Sequence, residues 1–252
     1  MSYFVRNQEF AFGIDLSRYN ASADLTQKPD FGLIAAHQPR VSFIAIRSGV
    51  SWGYRDPMFA VFSRQALAIG ACVMPYHVLY PGESALKQMN NFLRILEGID
   101  LDSVRLALDV ELEHGQTRAV ITNTLLSALE LLEQETGRLP IVYSRALWVD
   151  ANLRVADLPR VDWWLAQYYY RRPFPQYTPE YPCPPRLPKG VDQWLIHQTS
   201  ERGPAMGGAG NYMDYDRWNG TEADVLAYFG RAALVNCPLD GAICPVRSAC
   251  GA

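Results

Sequence analysis

RLALDVELE, residues 105–113, carries acids at alternate positions of an otherwise apolar run. In an extended chain, residues two apart point to the same side, so Asp109 and Glu111 project together, with Glu113 beyond them. A D-x-E pair on a strand also fits a ladder of solvated surface acids. Here Leu106, Ala107, Leu108 and Val110 are apolar on both faces, which marks a strand buried on two sides. Solvated acids do not belong in such a strand, and burying carboxyls there costs free energy that needs a reason.

Strand-like runs of the same kind recur along the chain, at Phe12–Ser17, Phe43–Ser48, Cys72–Leu79, Arg105–Leu112, Pro140–Arg145, Asp162–Tyr168, Trp194–Ser200 and Met213–Trp218. The first five alternate with helical segments. FGLIAAHQ follows the first and DPMFAVFSRQALAIG the second, where Asp56 is expected as N-cap with Pro57 at the first helical position. SALKQMNNFLRIL follows the third, with Ser84 as N-cap, and Thr117–Thr136 forms the longest helix, stopped by Gly137 and Pro140. Strands alternating with helices imply βαβ units and a parallel sheet, and eight strands favour closure into a barrel. The rhythm fails later. RRPFPQYTPEYPCPPRLPKG, residues 171–190, holds seven prolines and is expected as an extended surface loop. Its Phe174, Tyr177 and Tyr181, with Tyr170 before them, make either an indifferent insertion or a wall that contacts sugar.

Barrel enzymes build their sites at the C-terminal ends of the strands. Asp15 in GIDLS and Asp214 in MDYDRW join Asp109 and Glu111 as acids at such ends. Two strand steps separate Cβ atoms by about 6.5–7 Å, so Asp109 and Glu111 can share one glycosidic linkage. Crowding favours the protonated form of one, the condition for a general acid beside a charged partner at an oxocarbenium-like centre.

Other chemistries lack their residues. His77 in MPYHVLY has no second histidine at metal spacing, so no metal or cofactor is expected, and a lone histidine there fits a hydrogen-bonded pocket residue. No G-x-S-x-G elbow occurs, and GPAMGGAG is not followed by the Lys-Ser/Thr pair of a phosphate loop. The 252 residues are 49% hydrophobic and 19% charged, an ordinary composition with material for one sizeable core. A net charge of −3 without basic runs argues against nucleic acid as partner. No apolar run reaches the ~20 residues of a membrane span, and the first residues lack the marks of a signal peptide. Cys72 reads as a small core residue. Cys183 falls in a loop, and Cys237, Cys244 and Cys250 crowd the end of the chain, where a disulfide is one option.

Taken together, GIDLSRY, FIAIRSG, ALAIGACVMPYHV, LALDVE, PIVYSR, WWLAQY, IHQTS and MDYDRWNGT resemble, in order, the motifs of glycoside hydrolase family 25, the Chalaropsis-type lysozymes and phage endolysin muramidases. The resemblance covers roughly residues 10–230. It implies an α/β fold, an irregular TIM-like (β/α)5(β)3 barrel forming a single domain over residues 1–233, with a cysteine-containing tail at 234–252. It implies cleavage of the β-1,4 bond between N-acetylmuramic acid and N-acetylglucosamine, with Glu111 as general acid and Asp109 stabilising the developing positive centre. Retention assisted by the substrate's acetamido group is implied as well. Asp15 and Asp214 match the family's other two acids, and Tyr76, His77, Tyr168 and Gln198 fall where the family lines its sugar pocket. The expected partner is peptidoglycan, met by a monomer at the cell wall through phage lysis, a virion or a specialised secretion route. One departure stands out: the family's closing V-D-x-N reads Met213-Asp214-Tyr215-Asp216, leaving open whether Asp216 joins the site or points outward.

Two other readings compete. A chitinase-like or glucosaminidase-like barrel hydrolase would use similar acids, but the longer D-x-x-D-x-D-x-E run of chitinases is missing, since Leu106, Ala107 and Leu108 stand before Asp109. A non-catalytic wall-binding or virion protein would keep the barrel without needing the acids.

Overall fold

The computed structural model describes residues 10–168 and 183–231, and the backbone of 235–236 and 243–244. Strands β1 (Phe12–Leu16), β2 (Val41–Val50), β3 (Tyr54–Arg55), β4 (Cys72–Val78), β5 (Ala107–Asp109), β6 (Ile141–Ser144), β7 (Trp163–Ala166), β8 (Ile196–Pro204) and β9 (Tyr212–Trp218) form one sheet. β1 pairs with β2 in parallel and with β9 antiparallel, which closes the sheet into a barrel. Neighbours from β1 through β8 run parallel, while β8 and β9 form an antiparallel pair. β3 lies outside the ring as a short hairpin return on β2. Helices α1 (Phe31–Ala36), α2 (Phe59–Ala68), α3 (Ala85–Ile95), α4 (Arg118–Thr136) and α5 (Ala146–Asn152) follow the first five barrel strands, and α6 (Glu222–Tyr228) follows β9. Five βα units and three further strands make the expected (β/α)5(β)3 barrel.

Period-two alternation sorts the strand residues into two cores. Ile14, Leu16, Ile44, Ile46, Val73, Leu108, Val142 and Leu165 pack outward against the helices. Phe43, Ala45, Met74, Tyr76, Ala107, Tyr143, Trp164, Ile196 and Trp218 fill the barrel. The inner filling is tight: a Cβ on Gly13 would lie 2.3 Å from the Phe43 ring, which itself packs edge-on against Trp218. Local signals set the helix ends. Thr117 and Ser84 cap α4 and α3 through their side chains, Gly137 ends α4 in the left-handed region, and Thr221 with Asp224 forms a capping box on α6.

Several boundaries differ from expectation. The run expected as a strand over Arg105–Leu112 pairs only over Ala107–Asp109, because the chain turns out of the sheet towards α4. Asp56 is not the N-cap of α2. The helix starts at Phe59, and Asp56 caps the preceding turn, with Oδ1 accepting from Met58 N at 2.9 Å. The proline-rich residues 171–182, with Tyr170, Phe174, Tyr177 and Tyr181, lie outside the described residues, as do Cys237 and Cys250. Cys72 is buried in the barrel wall, as its apolar setting implied, and Cys183 is exposed. Among the described residues no helix is long and apolar enough to cross a membrane.

Candidate active site

The acids meet at the end of the barrel where the parallel strands terminate. Asp15 is the fourth residue of β1, and its register partner on β9 is Asp214, because the antiparallel direction of β9 brings its first half to the same end. Asp109 closes β5, and Glu111 follows two residues later in extended chain. The backbone there stays pinned, with Val110 N donating to Tyr143 O at 2.9 Å and Ser144 Oγ donating to Val110 O at 2.7 Å.

Gln198 organises the floor. Its Nε2 donates to Asp15 Oδ2 at 2.6 Å, while its Oε1 accepts from Tyr143 Oη at 2.9 Å and from Tyr168 Oη. Tyr168 and Gln198, both anticipated as pocket residues, thus join Asp15 in one network. Tyr76 also faces the interior, among Asp15, Asp109 and Asp214. Burial holds the Tyr76 and Tyr143 phenols well above their ordinary value, so both remain neutral donors.

His77 is not brought to this cluster. Alternation turns it to the opposite side of β4 from Tyr76, where it is fully buried and stacks on Phe92 of α3 at 5.0 Å. Its Nε2 lies 2.7 Å from Ser51 O, and burial lowers its pKa to about 4. It is a neutral strut between sheet and helix, so the expectation that it lines the pocket is corrected.

Asp216 does not point outward. It shares the parity of Asp214, is fully buried, and accepts from Trp164 Nε1 at 2.7 Å. Its Oδ2 meets no donor among the described residues. Asp15 lies within hydrogen-bonding reach of both Asp214 and Asp216. Carboxylates at that distance repel unless a proton lies between them. Burial pushes Asp15 and Asp216 well above the carboxylate range, and it takes Asp214 up to about 9 with help from the charge of Asp15.

The Asp109–Glu111 pair divides unequally. Burial, then the charge of Glu111, raises Asp109 well above its ordinary value, and its buried Oδ1 meets no hydrogen-bond partner among the described residues. Glu111 is more open, with a side chain 26% exposed, and its Oε2 pairs with Arg145 Nη2 at 2.8 Å. Burial thus favours the protonated form of Asp109, while Glu111 sits beside the Arg145 guanidinium.

Sequence reasoning did not single out Arg47, Arg145, Tyr143 or Trp164. Arg47 Nε pairs with buried Asp56 at 2.9 Å, and its guanidinium lies over the rings of Tyr19 and Tyr54 at 4.8 and 5.8 Å. Tyr19, Trp52 and Tyr54 stay exposed beside it. Inward parity was a usable signal for Arg47, Tyr143 and Trp164.

The profile of glycosyl hydrolases family 25 matches residues 14–208, most of the chain. The chain belongs to glycosyl hydrolases family 25. As a family 25 protein it is a glycoside hydrolase. It is similar to the uncharacterized protein YegX of Escherichia coli strain K12, with 28% identity over 220 residues, covering 86% of this chain and 72% of YegX. The same barrel occurs in a bacterial lysozyme from Streptomyces coelicolor, at TM-score 0.68 and 20% identity over 86% of this chain and 95% of that one. It occurs again in the family GH25 lysozyme of Aspergillus fumigatus, at TM-score 0.69 and 20% identity over 88% and 100%. At that identity these likenesses concern the fold of the family 25 hydrolase.

Proposed function

We propose that this family 25 hydrolase is a lysozyme of the N-acetylmuramidase type, cutting the β-1,4 bond between N-acetylmuramic acid and N-acetylglucosamine in peptidoglycan at the bacterial cell wall. The observation that carries the reading is the pairing of buried Asp109 with more open Glu111 at the mouth of an acid-lined barrel. Glu111 gives its proton to the leaving oxygen. Asp109, whose Oδ1 meets no donor among the described residues, orients and stabilises the centre where positive charge develops. Retention then proceeds with assistance from the substrate's acetamido group. Asp15, Asp214 and Gln198 hold the floor, and Tyr76 and Tyr168 border the sugar. Exposed Tyr19, Trp52 and Tyr54 offer flat apolar faces to neighbouring pyranose rings. We assign residues 1–233 to the catalytic unit and 234–252 to a C-terminal tail.

The test is mass spectrometry of the soluble fragments released from purified peptidoglycan, beside Glu111→Gln. New reducing ends on N-acetylmuramic acid, absent with the variant, are expected. Reducing-end N-acetylglucosamine would instead make the enzyme a glucosaminidase. Wall binding without fragments would leave a binding module, and full activity in Glu111→Gln would remove Glu111 from the acid's role.

A further inference from the structure

A cavity of about 340 Å³ opens at the opposite end of the barrel from the acids, where β7 begins. Among the described residues no helix follows β7, so segments 155–161 and 190–193 flank its outward-facing Trp163 in place of one. Val155, Leu158, Trp163 and Val191 make an apolar wall, and Arg160 and Asp192 stand exposed beside it.

The wall is fixed by backbone hydrogen bonds. Leu158 N donates to Val155 O at 3.1 Å, Val191 N to Pro188 O at 3.1 Å, and Leu195 N to Trp163 O at 2.8 Å. Lys189 N donates to Asp150 Oδ1 at 2.7 Å, and Gly190, at φ +84°, packs against Val155. A cleft held in this way binds a ligand without first having to order its own chain. Its two charges are open to that ligand. Arg160 Nη2 lies 3.4 Å from Asp192 Oδ2, and the side chains are 75% and 77% exposed. The separation exceeds the about 2.7–2.9 Å of a tight charge-assisted bond, and exposed pairs hold weakly. Among the described residues neither side chain has another hydrogen-bond partner.

A single surface ion pair is ordinary, but opposite charges side by side over a fixed apolar wall form a more specific pattern. Its complement carries an ammonium and a carboxylate equally close together, on an apolar stem. In an α-amino acid those groups lie within about 3 Å of each other, whereas the two ends of a peptide stand further apart. We infer that this cavity binds the zwitterionic head of an α-amino acid on an aliphatic stem. Arg160 takes the carboxylate, Asp192 the ammonium, and Val155, Leu158 and Val191 the methylenes. Such heads occur on free aliphatic amino acids and in wall peptides, where the side chain of uncross-linked diaminopimelate ends in one. The site stands apart from the muramidase reading, and only the wall-peptide source rests on it. With that source, the barrel grips peptide at one end while it cuts glycan at the other.

The experiment titrates the nitrogen-labelled full chain by NMR, reading the amides of Val155, Leu158 and Val191 and the indole N–H of Trp163. The probes are norleucine, hexanoate, pentylamine and the tripeptide L-alanyl-γ-D-glutamyl-meso-diaminopimelate. The zwitterions are expected to shift these signals with a Kd of about 1 mM or below, and hexanoate and pentylamine to bind about tenfold more weakly, each lacking one charged contact. Arg160→Gln and Asp192→Asn should each weaken zwitterion binding by about tenfold and leave glycan cleavage and melting temperature unchanged. A purely structural ion pair would lower the melting temperature and leave binding alone. Tighter binding of the tripeptide assigns the site to wall peptide, and tighter binding of norleucine assigns it to a free amino acid. No shift from either zwitterion at about 20 mM, equal binding of hexanoate, or full affinity in both variants would overturn the inference. None of these outcomes touches the muramidase reading, which is tested by turnover.

Discussion

Asp216→Asn separates a proton-holding acid from an ordinary buried polar group. The substitution keeps the shape. An asparagine carbonyl still accepts from Trp164 Nε1, as Asp216 Oδ1 does at 2.7 Å, and its amide can donate to Asp15. What disappears is the need for a shared proton. Asp216 sits fully buried with its folded pKa raised, chiefly by burial. The unfolded chain releases that proton at about pH 3.9. Above that value and up to the folded pKa, the native state binds more protons than the unfolded state, so the stability it contributes is lost as pH rises. One retained proton gives a slope of about 1.4 kcal/mol per pH unit over the part of the range in which the native state keeps it. Relaxation around a buried charge and coupling to Asp15 flatten that slope, and a loss of about 2 kcal/mol corresponds to roughly 4–8 °C in melting temperature for a chain of this size.

The assay is thermal unfolding of both proteins at half-unit steps from pH 5 to 8. The histidines cancel in the difference because both proteins carry them. The wild type should lose melting temperature relative to the variant as pH rises, by about that amount over the range. Parallel curves would mean that Asp216 holds no proton, and the shared-proton account of the floor would fail.

Asp109→Asn should cut kcat by about a hundredfold or more while leaving the melting temperature equal or higher, since it removes a buried ionisable group; a twofold loss would take Asp109 away from the reacting centre. Gly13→Ala drives a methyl to 2.3 Å from the Phe43 ring, which Trp218 prevents from yielding. It should cost about 2–3 kcal/mol, and an unchanged denaturant midpoint would refute the tight inner packing.

The barrel strands were legible because most of their residues are buried, and short apolar runs bounded by turns are a strong signal even where an acid interrupts them. Strand β5 was read too long: alternation continues through Glu111, but hydrogen bonding ends where the loop departs, and sequence carries no mark of that point. The short β3 return and helix α6 went unnamed because two paired residues and seven helical ones leave little periodicity. Parity that the sequence did contain places both His77, expected in the pocket, and Asp216, left open. Tyr76 facing inward forces His77 outward, and Asp216, two residues from Asp214, must share its side. Arg145 is different. It lies after β6, where no repeat fixes direction, and only the fold reveals that this loop end meets the loop end after β5.

The floor of the site makes sense only as an arrangement for positive charge. Asp15, Asp109, Glu111, Asp214 and Asp216 gather around one barrel mouth, against Arg47, already matched by Asp56, and Arg145 at the rim. Five ionised acids there would repel one another without a counter-ion, so the resting protein carries protons on its buried carboxyls. Those protons are a store of unexpressed negative potential. In the role proposed for Asp109, a cationic anomeric centre lowers the cost of ionising it at the moment its charge is useful, and its proton passes to water. A neutral ground-state sugar gains nothing comparable from the same groups. Stabilisation that appears only with the developing charge lowers the barrier without tightening ground-state binding. A site of this kind therefore needs its acids buried and crowded, and the apolar strand carrying Asp109 is what keeps them so.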